Sequence, residues 1–242
     1  MTSVTWLGQC GLYIDTGNLR IMTDPYLSDY LQEVEGPAMR RLVPADPQYL
    51  SVTPDVVLLT HDHLDHTDLP TLKQLLLEAS PTTILASRNA FKLVKGVCGK
   101  QHNYVLFDAG NEWTQSGVHF KAMKAVHSDE FAVGALISTA EWSIYLTGDT
   151  LYNEQVISSV NVPVDLMFTV MNGKGNNMNA FDAARLAKRI QPKVAVPIHW
   201  GMFENYTDDP GVFCEYLKDS NIRSHIPDFF KTETVENLIA KD

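Results

Sequence analysis

The segment His61-Asp62-His63-Leu64-Asp65-His66 follows directly on the apolar run Val56 to Thr60, and no other stretch constrains this chain so tightly. Three histidines and two aspartates fall within six residues at the end of a strand expected to be buried. Charged residues rarely crowd beside a buried strand without a shared task. His61 and His63 are two apart, so in extended chain they project to the same side, as two ligands of one metal must. Asp65 and His66 follow at the turn into a helix, where they face a second metal. Imidazole nitrogens and carboxylate oxygens suit zinc, manganese or iron.

Further ligands are expected where other apolar runs stop, because α/β proteins build their sites at strand ends. His127 ends the run Lys121 to Val126, Asp149 follows the strand Ser143 to Leu146 inside Thr147-Gly148-Asp149-Thr150, and His199 ends Val194 to Ile198. Gly148, lacking a Cβ, lets the backbone approach the metals closely. His119 reads as an outward strand residue, and His102 and His225 as loop residues; none has a second chelating residue beside it.

Around these positions the pattern is β-runs, helices, β-runs, helices. Short strands are expected at Val4 to Leu7, Gly11 to Asp15 and Arg20 to Thr23, and Ser28 to Leu50, with Pro37, Pro44 and Pro47, reads as a surface excursion. A helix capped by Asp68 carries Leu69, Leu72, Leu75 and Leu76 on one face. Thr83 to Ala86 is a strand and Arg88 to Lys95 a short helix; Tyr104 to Phe107, Val118 to Val126, Phe131 to Ser138, Ser143 to Thr147, Leu166 to Val170 and Val194 to Ile198 are further strands. An amphipathic helix places Ala183, Leu186, Ala187 and Ile190 opposite Asp182, Arg185 and Arg189, with Asn179 as its cap, and a last helix spans about Val212 to Lys218. This order predicts two sheets packed face to face with helices outside, as one domain over 1–242.

Composition removes several classes. The net charge of −10 gives no electrostatic footprint for nucleic acid. The chain shows neither a signal peptide nor an apolar stretch approaching the ~20 residues of a membrane span. Cys10, Cys98 and Cys214 form no CxxC pair and read as reduced, partly buried thiols of a cytoplasmic protein. The expected partner is a small molecule, phosphorylated or not, with no nucleic acid and no membrane; self-association into a homo-oligomer is compatible with the chain.

The HDHLDH cluster, His127, the Gly148-Asp149 pair and the Pro197-Ile198-His199-Trp200 histidine, in that order, resemble the metallo-β-lactamase superfamily. The resemblance implies a four-layer αββα sandwich with metals at one edge. It implies that His61, His63 and His127 hold one metal, that Asp65, His66 and His199 hold the other, and that Asp149 bridges both. A narrower set of motifs is similar to the L-ascorbate-6-phosphate lactonase group: Trp6-Leu7-Gly8 with Gly11, Asp24-Pro25-Tyr26, Gly148 to Tyr152, Lys193 to Trp200 and on through Phe203-Glu204-Asn205 and Asp209-Pro210. That group opens a phosphorylated sugar lactone, typically with manganese.

The expected function is therefore metal-dependent hydrolysis of a lactone or ester, with two cations, manganese or zinc, about 3.5–4 Å apart holding a bridging hydroxide. Asp65 would orient the nucleophile and pass a proton to the leaving alkoxide. For a phosphorylated substrate, Arg40 and Arg41, Lys174 and Asn176 in a Gly/Asn-rich loop near a helix start, and the wall residue Trp200, with Phe203 and Tyr206, are the expected contacts. A phosphodiesterase on the same dinuclear core is the alternative. Redox di-iron chemistry is a third reading, which the intact His63 speaks against, and a non-catalytic metal-binding module is a fourth.

Overall fold

The structure is a computed structural model that describes residues 1–240, so the last two positions of the expected 1–242 unit lie outside the described residues. Its first sheet holds β1 (Ser3–Gly8), β2 (Gly11–Asp15), β3 (Arg20–Thr23), β4 (Val56–Leu59), β5 (Thr83–Ala86), β6 (Asn103–Leu106) and β14 (Thr232–Thr234), in the order β14-β1-β2-β3-β4-β5-β6. The second holds β7 (Glu112–Gln115), β8 (Val118–Lys124), β9 (Val133–Ser138), β10 (Ser143–Leu146), β11 (Leu166–Val170), β12 (Val194–Ile198) and β13 (Arg223–Ser224), in the order β13-β12-β11-β10-β9-β8-β7.

Side-chain alternation explains why the sheets stack. Val56 and Leu58 of β4 join Trp6, Leu12 and Ile21 against Phe120, Ile137, Ile144 and Phe168 of the opposing sheet. Val57 and Leu59 point the other way, into a core with Leu72, Leu75 and Leu76 of α2 (Leu69–Leu76) and Ala90 and Val94 of α3 (Arg88–Val94). Strands covered on both faces must be apolar throughout. That is why β4, β5, β11 and β12 are entirely buried, whereas the antiparallel β8 alternates. Outside the second sheet lies α5 (Ala180–Ile190), whose Ala183, Leu186 and Ala187 are buried. The Asn179 side chain accepts from the Asp182 amide at 2.9 Å and so caps α5. The layers are helix, sheet, sheet, helix: the αββα arrangement of the metallo-β-lactamase fold. Among the described residues no helix is long and apolar enough to cross a membrane.

Several expectations need correction. Asp68 stands at the start of α2 but its side chain does not cap it. The carboxylate instead accepts from the Leu27 and Ser28 amides, the Ser28 hydroxyl (2.8 Å) and the Thr71 hydroxyl (2.6 Å), tying down the entry to the excursion. The stretch 28–50 is not irregular throughout. It contains α1 (Tyr30–Glu35) and two 3₁₀ turns, and it buries Leu31 and Met39 against Tyr26, Met202 and Phe203. The short elements β7, β13, β14, α4 (Glu154–Ser159) and α7 (Val235–Ile239) were not expected; β13 is exposed and carries no apolar signal. A helix does lie near Val212 to Lys218, as α6 (Pro210–Leu217). Cys10 and Cys98 are fully buried rather than partly so, and all three thiols are free.

Candidate metal centre

All seven ligand-type side chains come from loops at the same edge of the sandwich. His61 to His66 form a turn after β4 rather than an extended continuation: the His66 and Thr67 amides both donate to the His63 carbonyl, at 3.0 and 2.8 Å. The turn nonetheless brings the His61 and His63 rings within 4.5 Å, centroid to centroid. His127 follows β8 by three residues, and its loop is stitched to the end of β10 by the Val126 amide donating to Thr150 Oγ1 (2.9 Å) and the Leu151 amide donating to the Val126 carbonyl (2.9 Å). Asp149 follows β10. His199 follows β12 directly and has a left-handed backbone, φ +65. Such a conformation costs of order 1–3 kcal/mol for a residue with a side chain and persists only where surrounding structure enforces it.

The donor atoms fall into two groups. His61, His63, His127 and Asp149 make one, and Cys10, His66, Asp149 and His199 the other, with the donor atoms of each group all within 4.8 Å of one another. Asp149 belongs to both. Its Oδ1 lies 3.4 Å from His66 Nε2 and 3.3 Å from His199 Nε2, and its Oδ2 lies 3.8 Å from His127 Nε2. Asp65 Oδ2 stands 3.5 Å from His199 Nε2 and 3.7 Å from His66 Nε2.

A second ring of groups fixes the tautomers. His61 Nδ1 lies 3.0 Å from Thr60 Oγ1, and that hydroxyl donates to Asp24 Oδ2 at 2.6 Å, so the ring donates from Nδ1. This leaves His61 Nε2 as a lone-pair nitrogen that is buried and has no hydrogen-bond partner. A buried acceptor left unsatisfied is costly and calls for an explanation. Here it points to a cation. Asp24 Oδ2 also accepts from His66 Nδ1 at 2.9 Å, which turns His66 Nε2 towards Asp149 and His199. The donor set of imidazole, carboxylate and one thiol thus fits divalent transition metals.

The electrostatics agree. Burial, together with the neighbouring His66, holds the His61 pKa well below the ordinary histidine value. Burial opposes charge on His66 too, but the Asp149 and Asp65 carboxylates outweigh it and raise its pKa. Burial would raise Asp149, but His199 and His66 hold it well below the usual carboxylate range; Asp65 is lowered for the same kind of reason. Burial raises the Cys10 thiol.

The centre opens into a cavity of about 380 Å³ lined by Asp65, Asp149, His63 and His199, by Asn172, Lys174 and Asn177 after β11, and by the apolar side chains of Leu31, Met39 and Phe203. Of the expected substrate contacts, Lys174 lines this cavity. Arg40 is exposed and outside the lining. Arg41 is buried elsewhere, donating to the Tyr26 carbonyl (2.6 Å) and the Val43 carbonyl (3.2 Å). Asn176 meets the centre through its backbone, whose carbonyl lies 3.2 Å from His127 Nδ1. Trp200 packs against Trp6 and Phe229 and donates to the Pro197 carbonyl, so Phe203 and Tyr206, not Trp200, form the aromatic wall. Gly148 is needed for a reason other than the one expected: a Cβ there would meet the Val133 carbonyl oxygen, and its φ is +60.

Sequence reasoning missed Gln9, Cys10 and Asp24 as parts of the centre. Gln9, buried in the β1–β2 turn, donates from Nε2 to Asp65 Oδ2 at 2.8 Å and lies 3.2–3.3 Å from the His199 ring nitrogens. Cys10 Sγ lies 3.5 Å from Asp149 Oδ1. All three follow strand ends, the same signal that located His127, Asp149 and His199. Conversely, His102 is a structural residue bridging the Thr82 amide and the Leu76 carbonyl, and His225 pairs with Glu233.

The chain is similar to known proteins. A UPF0173 metal-dependent hydrolase of Methanopyrus kandleri is 25% identical over 224 residues, covering 87% of this chain and 89% of that protein. One from Oenococcus oeni is 27% identical over 246 residues, covering 94% and 97%. The crystal structure of a possible metal-dependent hydrolase from Veillonella parvula superposes with a TM-score of 0.79 at 18% identity, covering 97% of this chain and 99% of that one. The family model of the beta-lactamase superfamily domain matches residues 3–199, from β1 to the histidine after β12, and the chain belongs to that superfamily.

Proposed function

We propose that this member of the superfamily is a hydrolase that opens an ester or lactone bond, with His61, His63 and His127 holding one divalent cation, Asp65, His66 and His199 holding another, and Asp149 shared. The observation that carries the reading is the shared position of Asp149 between two donor groups, next to the unpaired Nε2 of buried His61 and an open cavity. Manganese and zinc both suit such donors. When bound, a pair of such cations supplies Lewis acidity and brings the pKa of a water towards about 7.

The chain's own residues divide the remaining work. Asp24 and Thr60 hold the Nδ1 edges of His66 and His61, so that both rings turn Nε2 towards the candidate metal positions. Burial keeps His61 neutral, so no proton competes for its Nε2. Asn177 donates to Asp149 Oδ2 at 2.6 Å and orients that carboxylate. Asp65, lining the cavity and held by Gln9, would orient the attacking water, take the proton that water gives up and pass it to the leaving oxygen.

The test is to purify the protein, quantify its metals, and supply lactones, esters and phosphodiesters with manganese and with zinc. Appearance of a new carboxylate from a lactone or ester is the expected result. Exclusive release of alcohol from phosphodiesters, or undiminished turnover by protein stripped of metal, would overturn the reading.

A further inference from the structure

Three features that suggested a phosphate site in the sequence do not come together as one at the cavity. The Arg41 guanidinium is bound to the Tyr26 and Val43 carbonyls and lies 4.8 Å over the Tyr26 ring, so it fastens the segment after α1 to the body of the protein. Arg40 faces solvent outside the cavity. The start of α5, near the Gly/Asn-rich loop, has two of its amides taken: Ala180 donates to Asp208 at 2.9 Å and Asp182 to Asn179 at 2.9 Å. A helix start recruits an anion through free amides. These two are not free.

Among the residues lining the cavity, Lys174 is then the sole lysine or arginine, and Glu35 and Asp62 line it as well. A phosphate monoester brings nearly two negative charges and is ordinarily met by forked guanidinium groups or several amides. Away from the candidate metal positions, one ammonium and two carboxylates leave the lining without the positive excess a dianion calls for. The lining also has an apolar part: Leu31 and Met39 from the α1 segment and Phe203 after β12, packed together in one cluster.

We propose that the substrate is a small ester or lactone, uncharged or singly charged, with its polar end near Lys174 and Asn172 and an apolar side lying on Leu31, Met39 and Phe203, and that it carries no phosphate. This rests on the hydrolase reading above and narrows it.

The experiment uses the metal-loaded full chain and one five-membered lactone ring carrying, in turn, a butyl, a hydroxymethyl or a phosphorylated hydroxymethyl substituent. Expected is a kcat/KM highest for the butyl compound and at least about tenfold lower for the phosphorylated one. Met39→Gln should lower kcat/KM for the butyl compound several-fold more than for the hydroxymethyl compound and so remove the preference. Independently of turnover, calorimetric binding of the ring-opened hydroxy acids to the metal-loaded and metal-free protein should show Lys174→Gln weakening the unphosphorylated acid by about tenfold. A phosphorylated ring turned over better than its parent, or bound more tightly in its opened form, overturns the inference and leaves the hydrolase reading intact. Protein loaded with metal that opens no lactone or ester overturns both.

Discussion

The two sheets are built to one plan and equipped differently. Read from β14 in the first and from β7 in the second, three antiparallel contacts are followed by three parallel ones in both. On that correspondence β3 matches β10, β4 matches β11 and β5 matches β12. An aspartate follows both β3 and β10: Asp24 and Asp149. Asp24 is surrounded by donors, with Thr60 and His66 taking both its oxygens, and it acts by orienting rings. Asp149 lies between two clusters of ring nitrogens. After β4 comes the dense histidine turn; after β11 come Asn172, Lys174 and Asn177, which line the cavity. After β5 comes Ser87 and after β12 comes His199. One scaffold thus supplies a half that concentrates its candidate ligands in one turn and a half that spreads them over three separate loops, and the difference lies in loops while the strands remain alike.

The strongest way to break this comparison is to make the two aspartates neutral. Asp149→Asn should lower metal content, measured by plasma mass spectrometry, and reduce turnover by more than about 100-fold, beyond the range of a residue that works through a ligand. Asp24→Asn should stay within that range, a loss of about 10–100-fold in metal affinity read by competition with a chelator. Equal losses for the two would erase the distinction drawn here. Next in size, Gly148→Ala forces a Cβ against the Val133 carbonyl at a positive φ and should destabilise the metal-free protein by about 1–3 kcal/mol in chemical denaturation.

Two smaller tests sharpen the picture. In the metal-free protein, NMR titration should find His61 neutral well below the ordinary histidine range and His66 still protonated above it, since burial dominates the first ring and the Asp149 and Asp65 carboxylates the second. The sign for stability follows. Unfolded His61 takes up a proton near pH 6.5 while the folded ring does not, so His61 favours unfolding in acid. His66 contributes stability below that pH and loses it as pH rises through its folded value. The smallest effect is on thiol reactivity: Cys10 and Cys98 of the first half are buried, the latter with its pKa pushed up to about 11, so Cys214 should be the first to react with an alkylating reagent, read by peptide mass.

Much of this was legible in the chain because period and strand ends are local signals. The runs Thr83 to Ala86, Leu166 to Val170 and Val194 to Ile198 coincide with strands to the residue, since buried parallel strands need unbroken apolar runs. The exposed strand β13, two residues long, has no such signature and gains its identity from pairing with β12. Asp68 was misread because a carboxylate before a helix looks the same whether it caps that helix or reaches back to Leu27 and Ser28. Arg41 was misread for a similar reason. A cation in a loop does not disclose in one dimension that two backbone carbonyls will claim it.

The segment from Tyr30 to Val43 holds one wall of the cavity within a single continuous piece of chain, pinned at its far end by Arg41. No residue of the histidine turn, and neither Asp149 nor His199, falls inside it. A descendant of this protein, or a designer, can therefore exchange that cassette and change what enters the cavity without redrawing the chemistry beneath it.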